Sequence, residues 1–216
     1  MLSLVEELVL LAIEDDGSIA PTAGQAGFGM ALLGACMVEL NVAGRIDADL
    51  EKVFVLDAAP IGRPALDGVL SALNEGEPAT IEQWIMRLSP TASTVVRQTL
   101  EALMERHVLR FEEARFLWVL KERRYPLLDG REQKDAKLRI METLLGDQIP
   151  SPHDTVLVGL ARAGGLLEGF LTTDELDRLE TRMTAVAGLD LFVRGVEAAI
   201  REDQIERARA MMMPMY

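Results

Sequence analysis

The sequence is poor in the residues that most catalytic chemistry requires. Its 216 residues include one cysteine and two histidines, and only 5% are aromatic. A lone cysteine excludes an internal disulfide. Cys36 lies in the apolar run "LLGACMVEL" and reads as a small buried residue, since a reactive thiol needs a nearby base or cation. His107 and His153 are far apart and lack a partner at ligand spacing, and no HExxH, CxxC or GxSxG motif occurs. The stretch "GQAGFGMALLG" has the glycines of a phosphate loop but neither its Lys-Ser/Thr pair nor a preceding strand, which favours close helix packing. The adjacent acids Glu6–Glu7, Asp15–Asp16 and Glu112–Glu113 fall at helix starts or turns and read as solvated charges. No nucleophile, base and oxyanion donor assemble, so we expect no enzyme, no metal site and no cofactor.

Positive charge is also scarce. The chain carries 22 Lys and Arg against 35 Asp and Glu, a net charge of −13. Residues 1–86 have a net charge of −11 and residues 140–216 a net charge of −6, whereas residues 87–139 carry +4. A field of this overall sign repels nucleic acid and anionic membranes, so an anionic partner has to be met locally, within a Debye length. A membrane-spanning segment is not expected either. The uncharged stretch from Gly17 to Val38 is long enough, but five glycines and Pro21 interrupt it and no aromatic belt flanks it. The start "MLSLVEELVLLAI" lacks a basic segment and contains Glu6 and Glu7, unlike a secretory signal. We therefore expect a soluble cytoplasmic protein.

What is abundant is aliphatic. Hydrophobic residues make up 49%, mostly Leu, Val, Ala, Ile and Met, a palette that favours helices over a β-sandwich. Ser3 and Glu6 have the spacing of a capping box opening the first helix, which "DDGS" ends as a turn. A helix from about Gly27 to Val42 is apolar nearly all round, as a central buried helix should be. "GRIDADLEKVFVLDAAPIGRP" reads as a short hairpin, and "LRFEEARFLWVL" as a second with its turn near Glu112 to Ala114. Thr80 is the expected N-cap of "TIEQWIMRLS", and "STVVRQTLEALMERHVL" and four later segments have helical period. The expected fold is mainly α and a single domain: a central buried helix bundle, surrounding amphipathic helices and one or two small β-hairpins. Its bounds are residues 1–208, with a Met-rich tail over 209–216.

The run Phe116 to Leu120, followed by Lys121, Arg123 and Arg124, is the one apolar stretch joined to a basic cluster. Three uses are open to it: core packing, contact with a second copy, and membrane contact. Alternation places Phe116, Trp118 and Leu120 on one face and Leu117 and Val119 on the other. "TIEQWIMRLSPTASTVVRQTLEALMERHVLRFEEARFLWVLKERR" also has the element order of a winged-helix DNA-binding module. Glu101, Glu105 and the acidic background oppose that reading, and nucleic acid is not the expected partner.

Six ordered segments, "LVEELVLLAIEDDGS", "GACMVELNVAGRI", "VLDAAPIGRPALDGVL", "LEALMERHVLRFEEARFLWVL", "RRYPLLD" and "TVLVGLARAGGLLEGF", resemble the Golgi phosphoprotein 3 family over roughly residues 2 to 200. The compact loops and acidic, Ala/Gly-rich style are closer to its bacterial members. The resemblance implies a peripheral membrane protein or adaptor that binds phosphatidylinositol 4-phosphate in a basic pocket beside a protruding hairpin. It also implies self-association or membrane contact through that hairpin, here Phe116, Leu117, Trp118 and Val119. The family's headgroup positions fall on Gly24, Leu33, Ser93 and Val96, none of which keeps the family's Trp or Arg. Arg97, Arg123 and Arg124 are the cations left to form a displaced headgroup site. An interaction scaffold that has kept the fold and lost the lipid site is the alternative.

Overall fold

Two residues, Ser3 and Glu6, set the entry into the first helix. Ser3 Oγ accepts from the Glu6 amide, and the Glu6 carboxylate accepts from the Ser3 amide at 2.8 Å, which closes the expected capping box. The structure, a computed structural model, describes residues 2–20, 25–116 and 120–212. Helix α1, Leu4–Leu11, is buried on every face. Its last turn is finished by Gln133, whose buried side-chain amide donates to the Leu10 and Ile13 carbonyls at 2.6 and 2.7 Å.

Helix α2, Ala26–Val42, follows within one residue of its expected start. The helices after it are α3 (Pro64–Glu75), α4 (Ile81–Leu88), α5 (Ala92–Glu105), α6 (Arg131–Leu145), α7 (Pro152–Ala163), α8 (Thr173–Ala187) and α9 (Leu191–Met212). Thr80 caps α4 in a second capping box, with Gln83 as its partner. Helix α9 runs to Met212, and the remainder of the expected tail lies outside the described residues.

Helix α2 is the axis of the bundle, packing against α1, α3, α4, α5, α7 and α9. A helix touched from every side must be apolar on every side, and ten of its residues, Leu33 and Cys36 among them, are buried. Burial pushes the Cys36 thiol far above its ordinary range, so it stays a small packing residue. Close crossing needs small side chains: a methyl added at Gly29 would stand 2.8 Å from Ala92 Cβ. Among the described residues no helix is long and apolar enough to cross a membrane.

The first hairpin pairs β1, Ile46–Ala48, with β2, Val53–Val55. The second pairs β3, Glu112–Phe116, with β4, Leu120–Arg124, and this corrects the expected turn. Glu112, Glu113 and Ala114 lie inside a strand, and the basic residues Lys121, Arg123 and Arg124 form its partner. The register explains the difference. Glu112 stands opposite Arg124 and Glu113 opposite Arg123, and opposite charges across an antiparallel pair are favourable. The expected alternation of the apolar run depends on Leu117, Trp118 and Val119, which lie outside the described residues. The base of this hairpin rests on the α1–α2 loop. Tyr125 donates its amide to the Gly17 carbonyl at 2.6 Å, and Gly17, at φ +80°, sits so close to Pro126 that a Cβ would meet its nitrogen at 2.7 Å.

Candidate functional site

The loop under the hairpin also walls a cleft of about 730 Å³. Ile19 and Ala20 form one side and the start of α2, Gln25 to Met30, forms the floor. Ser93 and Val96 on α5 face it from a third side, with Asp203 and Arg207 of α9 completing the rim. The first turn of α2 opens here, and its N-cap, Gln25, makes no side-chain capping bond. Arg207 Nε lies 2.7 Å from Asp203 Oδ2, so the cation on the rim is already paired.

Two of the four family headgroup positions, Ser93 and Val96, meet in this cleft. Leu33 does not: it is fully buried inside the bundle, one helical turn below the lining residues. Gly24 lies outside the described residues, next to Gln25.

Two of the three candidate arginines, Arg97 and Arg124, are held in separate ion pairs, and the third, Arg123, stands on β4. Arg97, one residue past the cleft wall, is exposed and donates to both Glu101 oxygens at 2.8 and 3.1 Å. Arg124 lies 3.2 Å from Asp16 in the α1–α2 loop. Hydrogen bonds from Ser18 hold the Asp16 carboxyl below its ordinary range, with Arg124 contributing, so that loop stays anionic. Arg123 is exposed on β4 opposite Glu113. Of the hairpin contact residues, Phe116 ends β3, and Leu117, Trp118 and Val119 lie outside the described residues.

The basic segment has a second destination that sequence reasoning missed. Glu6 and Glu7 are not solvated; they are 5% and 3% exposed. Arg106 binds both Glu6 oxygens at 2.7 and 2.6 Å, and Arg139 is paired with Glu7 and, at 3.1 Å, with Asp154. His153 Nε2 lies 2.7 Å from Glu7 Oε2, and this hydrogen bond raises the histidine above its ordinary range against the opposing effect of burial. A third pair, Arg63 with Glu39, is tied to the same helix start through Ser3 Oγ and the Val5 amide, at 2.6 and 2.8 Å. The signal was present in the sequence. A short helix that is apolar all round has no wet face on which to put two glutamates, so they require cations from elsewhere.

Against known proteins, the chain matches the Golgi phosphoprotein 3 (GPP34) family over residues 4–202. The chain belongs to this family. A search of curated proteins finds no match. Membership accounts for the helical single domain with its two small antiparallel sheets. It also weighs against a winged-helix reading of α4, α5 and the second hairpin. Thr99, in the stretch that reading assigns to recognition, is buried and donates to the Val95 carbonyl.

Proposed function

We propose that the protein is a non-enzymatic peripheral membrane adaptor that takes an anionic phospholipid headgroup, phosphatidylinositol 4-phosphate by family, at the α2–α5–α9 cleft. What supports this reading is Golgi phosphoprotein 3 membership together with the position of Ser93 and Val96 on the wall of that cleft. A phosphate seated there would meet the uncapped first turn of α2, where amides and the helix dipole favour an anion. Arg97, Arg123 and Arg124 are the cations this reading assigns to the headgroup, each contributing about 1 kcal/mol against an anionic leaflet. Arg97 and Arg124 have carboxylate partners to exchange for phosphate, so the binding is salt-sensitive. On this reading the protein works on the cytoplasmic face, and Phe116, Leu117, Trp118 and Val119 make the contact with a second copy or with the leaflet.

Vesicle co-sedimentation tests the proposal, comparing neutral, phosphatidylserine and phosphatidylinositol 4-phosphate vesicles at low and physiological salt. The expected result is selective binding to the phosphoinositide, lost when Arg97, Arg123 and Arg124 are changed together to Glu. Absence of binding at either salt overturns it. One observation favours a second reading: the family's headgroup residues are replaced at all four aligned positions, and the rim cation Arg207 is paired with Asp203. An interaction scaffold that has kept the fold and lost the lipid would give that second outcome.

A further inference from the structure

A second cleft, of about 1040 Å³, lies elsewhere and shares no lining residue with the proposed headgroup cleft. That is at the upper end of the roughly 300–1,000 Å³ of small-ligand sites. It opens between the start of α1, the end of α2, β1 and the first turns of α7 and α9. Its wall is apolar: Leu2, Leu4, Val38, Val42, Val156 and Phe192. At the mouth Val42 and Leu189 are 83% and 68% exposed and extend the apolar wall to the surface.

The charged groups lining this cleft are already bound. Glu39 is paired with Arg63 and accepts from the Val5 amide. Asp190 accepts from the Val193 amide, and Asp47 accepts from the Ala48 amide. His153 is the exception. Its Nε2 is engaged with Glu7, which does not line this cleft, and its Nδ1 has no hydrogen-bond partner among the described residues. The charged groups around the ring are Glu7 on α1, Arg139 on α6 and Asp154 on α7. Together they favour the protonated imidazole, in which Nδ1 carries a proton to donate.

We propose that this cleft binds a small single-chain amphiphile, with its aliphatic chain on the Val38–Val42–Phe192 wall and a carboxylate accepting a hydrogen bond from His153 Nδ1. The cleft supplies an apolar trough and, on His153, a charged donor, which is what an aliphatic acid needs and what an uncharged alcohol uses only in part. Calorimetric titration of the full chain at about pH 6, where the imidazole is protonated, tests this with dodecanoate and dodecanol below their aggregation limits. The expected result is one site for each, with dodecanoate bound about tenfold more tightly through its charged hydrogen bond. Changing the exposed rim residues Val42 and Leu189 together to Asn should weaken both ligands. His153→Gln should abolish the preference and leave dodecanol unchanged. If His153→Gln fails to fold, the wild-type ratio and the rim variant decide. Equal affinity for the two ligands, no binding of either, or binding indifferent to the rim variant each overturns the proposal.

Discussion

Glu7 lies under two cations, Arg139 and His153, with almost no access to water. Removing it leaves Arg139 with Asp154 alone and takes from His153 its carboxylate partner at the helix junction. Glu7→Ala should cost about 3 kcal/mol in urea unfolding. Arg97→Ala, which removes an exposed i,i+4 pair, should cost less than about 0.5 kcal/mol. Equal losses from the two would contradict the distinction drawn here between structural and surface arginines. The pair with His153 also has a pH signature. Because the folded imidazole is raised above its ordinary value of 6.5, the stabilisation is fully present below that value. It is lost as pH rises through the raised one. The urea midpoint of the wild type should therefore fall relative to His153→Gln from about pH 6 to about pH 9. Parallel midpoints across that range would show that the pair is not formed in solution.

Where α2 crosses α5, the Ala92 methyl packs on Gly29, and the crossing sets the depth of the proposed headgroup cleft. Gly29→Val should push the helices apart at a cost of about 1–3 kcal/mol by thermal denaturation. It should also weaken phosphoinositide binding. A variant as stable as the wild type would mean that the crossing is looser than described. In the second hairpin, Glu112→Lys together with Glu113→Lys sets like charges opposite Arg124 and Arg123. Protease cleavage within residues 110–125 should become faster while the rest of the chain stays resistant.

Over the whole molecule, what the sequence made legible was what neighbours in the chain decide. Ser3 with Glu6 and Thr80 with Gln83 announced their helices because capping is satisfied within four residues. The all-round apolar character of α2 announced the centre of the bundle. The second hairpin was misplaced because its register depends on cross-strand charge rather than on a Gly or Pro turn. That Glu6 and Glu7 need cations follows from their helix, but which cations does not, because the partners are distant: Glu6 finds Arg106 and Glu7 finds Arg139 only after folding. That long-range pairing also changes the meaning of the basic segment. Much of its charge neutralises acids of this chain, Glu6 and Glu7 inside the fold and Asp16 and Glu101 on it. On the function proposed above, what it offers to a membrane is local, salt-sensitive and centred on the hairpin base and α5.

Hydrogen–deuterium exchange with and without a short-chain phosphatidylinositol 4-phosphate puts this to the test most directly, because it reads both binding and place. Protection should appear in the first turn of α2 and across Ser89 to Arg97, with the hairpin base affected more weakly. Protection confined to other helices, or none at saturating lipid, would contradict a headgroup site in the α2–α5–α9 cleft.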